Sequence, residues 1–238
     1  MAGEIFNPET RLSWVLAVLA GVLGAISFLH SVGYFVVFMT GNAQRAVLGF
    51  FIGQSWQAVS AGLLMVAFVA GVVVASACRR YFWVDHPHGP TVLTTFSLMA
   101  ATLVDVYDEG WSERYLDFAP IVLLAFANGT LNTSFVKDGE VSIPLSYVTG
   151  TMVKMGQGIE RHIAGGRAAD WLGHFLLLAS FVIGAAVGGC IGLFTNGTGM
   201  LVAATVVCAV TTGYTYLHQD RHVFSRGADR EPSAEPEN

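Results

Sequence analysis

Charge is scarce in this chain. Charged residues fill 12% of its 238 positions and hydrophobic ones 53%, with a mean hydropathy of +0.57. A soluble domain carries roughly 25% charged residues, so about half of the usual solvated surface is missing and lipid must stand in for water. The formal net charge is −5 and no basic stripe is present, so no nucleic-acid partner is expected. Cysteine is sparse too. Cys78, Cys190 and Cys208 sit singly inside apolar runs, without disulfide or zinc spacing. Glu4 and Glu9 stand where a cleavable leader needs positive charge, so none is expected. HExxH, GxSxG, GxGxxG and P-loop patterns are absent. The expectation is therefore of a protein that is not an enzyme and carries no cofactor and no metal.

What the chain has instead is long apolar runs. Six are long enough to cross a hydrocarbon core of roughly 30 Å: Leu12–His30, Trp56–Cys78, Thr91–Tyr107, Phe118–Val136, Trp171–Phe194 and Met200–Leu217. The third is the shortest and carries Asp105 near its end. The fourth is unusually polar, with Asn128, Thr130, Asn132 and Thr133. Trp14, Trp56, Trp83, Trp111 and Trp171 mark the ends as an interfacial belt would. With the N-terminus inside, the cytoplasmic segments hold Arg11, Arg79, Arg80, Lys137, Lys154, Arg161, Arg167, Arg221, Arg226 and Arg230. Only Arg45 and Arg114 fall outside, so the cations follow the positive-inside rule. The chain is read as multi-pass in a bacterial inner (plasma) membrane, with both termini cytoplasmic. Its polar, Pro/Glu-rich tail over 218–238 is expected to be disordered.

Two more segments are apolar but interrupted. Gly33–Ile52 contains Phe38-Met39-Thr40-Gly41-Asn42, and Ser142–Gly158 contains Tyr147-Val148-Thr149-Gly150-Thr151. Both read as re-entrant segments that break at the Thr-Gly and return, because irregular backbone at membrane depth must be wrapped in protein or line a cavity. The two blocks match at an offset of 109, each preceded by an aromatic residue and closed by a cation, Arg45 and Lys154. Ala67, Gly71 and Ala75 correspond to Ser180, Gly184 and Gly188 at an offset of 113. Each half thus reads as helix, broken segment, helix, helix, over 12–107 and 118–217. Three crossings per half is an odd number, so the second half is inserted upside down. The expected fold is an all-α polytopic membrane protein of six transmembrane helices and two re-entrant segments, arranged as two inverted three-span repeats.

The blocks at 35–42 (Phe-Val-Val-Phe-Met-Thr-Gly-Asn) and 144–151 (Pro-Leu-Ser-Tyr-Val-Thr-Gly-Thr) resemble the two signature blocks of the YoaK-like family of bacterial inner-membrane proteins. The function of that family is not established. The resemblance runs from about Trp14 to Leu217 and includes Asn132. It strengthens the fold and implies no substrate. In that family an acidic residue often occupies the first helix where this chain has Gly24, so a proton-coupling role for such a carboxylate does not carry over.

The candidate solute-binding residues are Thr40, Gly41, Asn42 and Arg45 in the first block, Thr149, Gly150, Thr151 and Lys154 in the second, and Asn128 and Asn132 in the fourth span. Glycine lets the backbone turn, and each threonine is expected to cap the half-helix that follows. The N-terminus of such a half-helix carries partial positive charge and suits an anionic group. Helix packing explains the same glycines without a ligand, and snorkelling explains the two cations. Asn128 and Asn132 share a helical face and hydrogen-bond either a solute or the freed backbone of the breaks. Asp105 is the candidate coupling site, with His30 and His174 near span ends. Ser180, Gly184, Gly188 and Gly192 form a small-residue packing stripe, facing either the Ala67/Gly71/Ala75 helix or another protomer. His218 with His222, and His86 with His88 beside Asp85, are two ligands without a third and read as interface histidines. The functional expectation is a small secondary transporter or channel for a small polar or anionic solute, homodimeric in the lipid bilayer. The alternative is a membrane accessory or scaffold protein that moves nothing.

Overall fold

The computed structural model describes residues 8–31, 33–83, 88–108, 116–137, 140–143 and 145–228, with side chains to residue 217. Among the described residues eight helices follow in order: α1 Pro8–Leu29, α2 Met39–Phe51, α3 Ser55–Tyr81, α4 Gly89–Asp108, α5 Phe118–Leu131, α6 Val148–Ile163, α7 Ala169–Gly192 and α8 Gly197–Ala228. A two-residue hairpin, β1 Val136–Lys137 with β2 Glu140–Val141, lies between α5 and α6. The protein is an all-α polytopic membrane protein. Pro8–Leu29, Ser55–Tyr81, Gly89–Asp108, Ala169–Gly192 and Gly197–Leu217 are each long and apolar enough to cross a bilayer, and Phe118–Leu131 is a shorter apolar helix.

Three spans differ from the sequence expectation. The third span is a full 20-residue helix, and the short one is the fourth. The 14 residues of α5 rise only about 21 Å at 1.5 Å each. The apolar run continues to Val136, but polar donors end the helix early. The side chains of Asn132, Thr133 and Ser134 donate to the carbonyls of Asn128, Thr130 and Leu131 at 2.7–2.8 Å, satisfying acceptors that a helix end leaves open. The Arg79 guanidinium, reaching across from α3, donates to the Thr133 carbonyl, a cation placed at a helix C-terminus where the dipole favours it. At the other end of the chain α8 continues past Leu217 to Ala228; residues 229–238 of the expected tail lie outside the described residues.

The same packing devices occur in both halves. α2 turns into α3 through Gly53 (φ +74°), and α6 turns into α7 through Gly165 (φ +97°), conformations that favour glycine. A Cβ on Gly49 would lie 2.9 Å from Ala58, and one on Gly158 would lie 2.5 Å from the Asp170 carbonyl, so each half-helix closes tightly on the long helix after it. The first helix of each half packs on the third helical element of the other: α1 on α7, α5 on α3. A Cβ on Gly184 would meet the Val18 carbonyl at 2.1 Å, and one on Gly21 the Phe181 carbonyl at 2.2 Å; on the other crossing Gly71 meets Phe126 and Gly129 meets Phe68 at 2.2 and 2.1 Å. The stripe of Gly184, Gly188 and Gly192 is therefore filled by Val18, Ala25 and Leu29 of α1. This corrects both partners expected for it. On this stripe it is a helix of the opposite half that brings a backbone close enough to need glycine.

Running directions follow from the contacts. Val18 with Gly184, Val22 with Gly188 and Leu29 with Gly192 rise together, so α1 and α7 are parallel. α4 and α8 are antiparallel, through hydroxyl pairs Thr95–Thr212 (3.2 Å) and Thr102–Thr205 (3.4 Å) and the Asp105–Thr198 bond. If α2 and α6 both completed a crossing, α4 and α8 would be the fourth and eighth spans and would run the same way. As half-crossings they leave α4 and α8 as third and sixth, and opposite.

Candidate functional site

Each half-helix is entered by an irregular stretch of chain, residues 33–38 before α2 and, among the described residues, 142–143 and 145–147 before α6. Such backbone has no ladder of its own, so its polar groups need side-chain partners. For the first stretch they are supplied one by one. Arg45 donates to the Gly33 carbonyl at 2.9 Å, Asn42 Nδ2 to Phe35 at 2.6 Å and Asn128 Nδ2 to Val36 at 3.0 Å. In the second stretch Asn132 serves Ser146 alone: its Nδ2 donates to Ser146 Oγ (2.8 Å) and its Oδ1 accepts from the Ser146 N–H (3.0 Å). The end of α5 is thus tied to both irregular stretches. Asn128 and Asn132 bind freed backbone, one of the two roles expected of them. Replacing Asn132 with leucine leaves the Ser146 amide without its acceptor, and thermal melting in detergent should show a loss of about 1–3 kcal/mol. Asn132→Asp keeps an acceptor there and should recover part of that loss.

The threonines do not cap. α2 begins at Met39 with Phe38 as N-cap, α6 begins at Val148 with Tyr147 as N-cap, and neither cap residue makes a side-chain cap bond. Thr40 and Thr149 are each second in their helix, one turn position too late to accept from the first orphan N–H groups. The glycines are not turn residues either, since neither has positive φ. Their role is close approach. A Cβ on Gly41 would lie 2.2 Å from the Phe38 ring, and one on Gly150 would lie 2.0 Å from the Tyr147 ring. In both blocks an aromatic ring at the cap folds over the glycine three residues on.

A cavity of about 860 Å³ lies where the two blocks meet. Its walls come in matched pairs from the two halves: Phe38, Met39 and Thr40 with Tyr147, Val148 and Thr149, and Phe68 and Val72 of α3 with Phe181 and Ala185 of α7. Gly21, Gly24 and Ala25 of α1, together with Asn132, Thr133 and Ser146, complete much of the rest. Most of the lining is apolar. The polar side-chain groups are the hydroxyls of Thr40, Thr133, Ser146, Tyr147 and Thr149 and the Asn132 amide, and no charged side chain is among the described lining residues. The first turns of both half-helices form part of the wall, so two helix N-termini with their partial positive charge abut one space.

Of the residues singled out from the sequence, Thr40, Thr149 and Asn132 line this cavity; Gly41, Asn42, Asn128, Gly150 and Thr151 stand beside it in the surrounding protein. Asn42 is fully buried and Thr151 nearly so, its hydroxyl donating to the Tyr147 carbonyl at 3.0 Å. Arg45 lies over the Phe35 ring at 4.9 Å, in cation–π range. Lys154 lines a second, smaller cavity with His174. Asp105 is 1% exposed and its Oδ2 accepts from Thr198 at 2.5 Å. It sits at the α4–α8 contact, apart from the large cavity. His30 is buried near the turn between α7 and α8. Among the described residues no group of three or more His, Cys, Asp or Glu is placed to hold a metal. Asp85 and His86 lie outside the described residues, as do the side chains of His218 and His222. Sequence reasoning missed Phe68, Phe181, Ser146 and the two cap rings as wall residues. The offset of 113 that relates Gly71 to Gly184 also relates Phe68 to Phe181, so part of that signal was present.

Comparison with known proteins adds the following. The family described as a protein of unknown function (DUF1275) matches residues 12–214. A UPF0700 transmembrane protein of Rhizobium meliloti (strain 1021) is 30% identical over 161 residues, covering 66% of this chain and 64% of that protein, so the match spans slightly under two thirds of the relative's length. No solved structure matches the chain.

Proposed function

We propose that this chain, which belongs to the DUF1275 family of proteins of unknown function, is a small secondary transporter or channel. It moves a small polar or anionic solute through the cavity between its two half-helices. One observation carries this reading. Two broken segments from different halves begin their helices on the wall of a single cavity, each contributing a threonine hydroxyl, Thr40 and Thr149. Discontinuous helices at matching positions of two repeats are the usual architecture of a central solute site. The apolar walls fit a solute with an apolar body, and the helix N-termini and hydroxyls fit its polar or anionic group.

The reading takes the halves as inverted repeats of one another. The opposed running directions of α4 and α8, and the parallel pairs α1 with α7, support it, as do ten of twelve cations falling on one side. Both termini are then cytoplasmic and the membrane is the bacterial inner one, with α2 entering from outside and α6 from the cytoplasm. A homodimer, and the kinship of the two Thr-Gly blocks with the YoaK-like family, belong to the same reading. So does the absence of a catalytic role.

The test places single cysteines at Thr40 and Thr149 in a background lacking Cys78, Cys190 and Cys208. Intact cells and inverted vesicles are labelled with a membrane-impermeant thiol reagent. The cysteine replacing Thr40 is expected to react from outside and the one replacing Thr149 from the cytoplasmic side, both more slowly than loop controls. Reaction of both from one side, or of neither from any, would sink the pathway and leave a scaffold that moves nothing.

A further inference from the structure

We propose that the small cavity beside the second half-helix is an anion-binding site, taking a carboxylate or oxyanion of acetate or phosphate size. Its place at the cytoplasmic end of a solute pathway rests on the transport reading above; its affinity for an anion does not.

The two halves are unequal at one matched position. Arg45 closes the first block and is engaged, its guanidinium bonded to the Gly33 carbonyl and stacked over Phe35. Lys154 closes the second block. No hydrogen bond or ion pair engages its ammonium among the described residues, and it lines a cavity of about 160 Å³. Ser13 and Trp14 of α1, Tyr147, Thr151 and His174 share that lining. No carboxylate is among the described lining residues. On the neighbouring stretch Asp170 is committed to Arg161 and Arg167, each at 3.9 Å. An ammonium and an imidazole thus share a recess without a negative partner. Two of its walls are inside the protein, Ser13 at 1% and Thr151 at 4% exposure. Lys154 itself is exposed and His174 partly buried; a bond to the ammonium is charge-assisted and so stronger than one between neutral groups. The volume holds several waters at about 30 Å³ each, hence a small anion with part of its shell.

Tyr147 connects this site to the other. It lines both cavities, with its ring folded over Gly150. A residue shared by both linings puts the two cavities side by side, so an anion leaving the large cavity towards Lys154 passes Tyr147.

The experiment uses the full-length protein purified in detergent, titrated with sodium acetate at constant ionic strength in gluconate. Intrinsic tryptophan fluorescence, to which Trp14 contributes, and melting temperature are both followed. Wild type should give a saturable fluorescence change and a rise in melting temperature. Lys154→Met should weaken acetate by about tenfold, Lys154→Arg should restore most of the affinity, and Gly62→Ala on α3, which lines neither cavity, should leave it unchanged. Unaltered acetate affinity in Lys154→Met, or no effect of acetate on either readout in wild type, overturns the site. Because no transport is measured, acetate binding can fail while the labelling at Thr40 and Thr149 succeeds, and the reverse.

Discussion

Alanine at Gly71 or at Gly184 is expected to deplete folded protein, while the same change at Gly62 or Gly173 leaves it intact or raises its melting temperature. The four positions are all helical, so intrinsic propensity favours alanine at each by up to about 1 kcal/mol. They differ in what a methyl group meets. At Gly62 and Gly173 nothing lies within 4 Å of the new Cβ. At Gly71 and Gly184 it would sit 2.2 and 2.1 Å from main-chain oxygens, of Phe126 and Val18. A side chain can rotate out of such a contact and a backbone carbonyl inside a helix cannot, so the helices must part along their length. Overpacking of a core costs about 1–3 kcal/mol even where side chains can adjust, and this contact belongs at or above the upper end. Retention of monodisperse protein on size exclusion, with a melting curve in detergent, is the measurement. Equal behaviour of all four variants would mean that the two crossings are looser than described.

The second large effect concerns the cap rings. Valine at Gly41 or Gly150 pushes the ring of Phe38 or Tyr147 off its half-helix, because the ring atoms lie 2.0–2.4 Å from the position of a Cβ. Both rings line the large cavity, so a displaced ring changes access to it with the rest of the fold kept. Thiol labelling at Thr149→Cys should change by about tenfold in a Gly150→Val background, a difference of about 1.4 kcal/mol in the barrier. Adding Tyr147→Ala removes the ring and should bring the Gly150→Val protein back near the rate of Tyr147→Ala alone. The same cycle at Phe38 and Gly41 should behave alike from the other side. Labelling that ignores the ring would show that it does not bound the cavity.

Much of this architecture was legible from apolar run length and the paired blocks. Runs as long as 56–78 have no other fate than a crossing helix, and the matched Thr-Gly blocks marked where two half-helices begin. What was not legible is side-chain direction. The blocks point to residues 40–42 and 149–151 as a unit, but a helix turns 100° per residue. Once α2 starts at Met39, Thr40 lies against the cavity while Asn42, two residues on, lies against Phe35. Choosing between them requires the first helical residue, and the apolar pattern around Phe38 and Met39 does not mark it. The fourth span was misjudged for a related reason. Apolar content continues to Val136, yet the helix ends where Asn132, Thr133 and Ser134 take its carbonyls, and hydropathy does not register hydrogen bonds. The stripe on α7 was visible as a stripe. Its partner was not, because nothing local in a sequence says that the first helix of one half lies against the other half.

That exchange of helices between halves governs how the protein comes into being. A ribosome delivers α1 first, and the helix that covers its glycine seam, α7, is the fifth of the six long or medium spans. Until then the Val18–Gly21 face of α1 borders lipid or the insertion machinery. Insertion of the early helices and their final docking are consequently separate events, as in a two-stage assembly. A nascent chain stopped after α4 holds two helices, α1 and α3, whose intended neighbours do not yet exist. The pairing of α1 with α7 and of α3 with α5 makes each half part of the interior of the other, so neither has its full core until both are inserted.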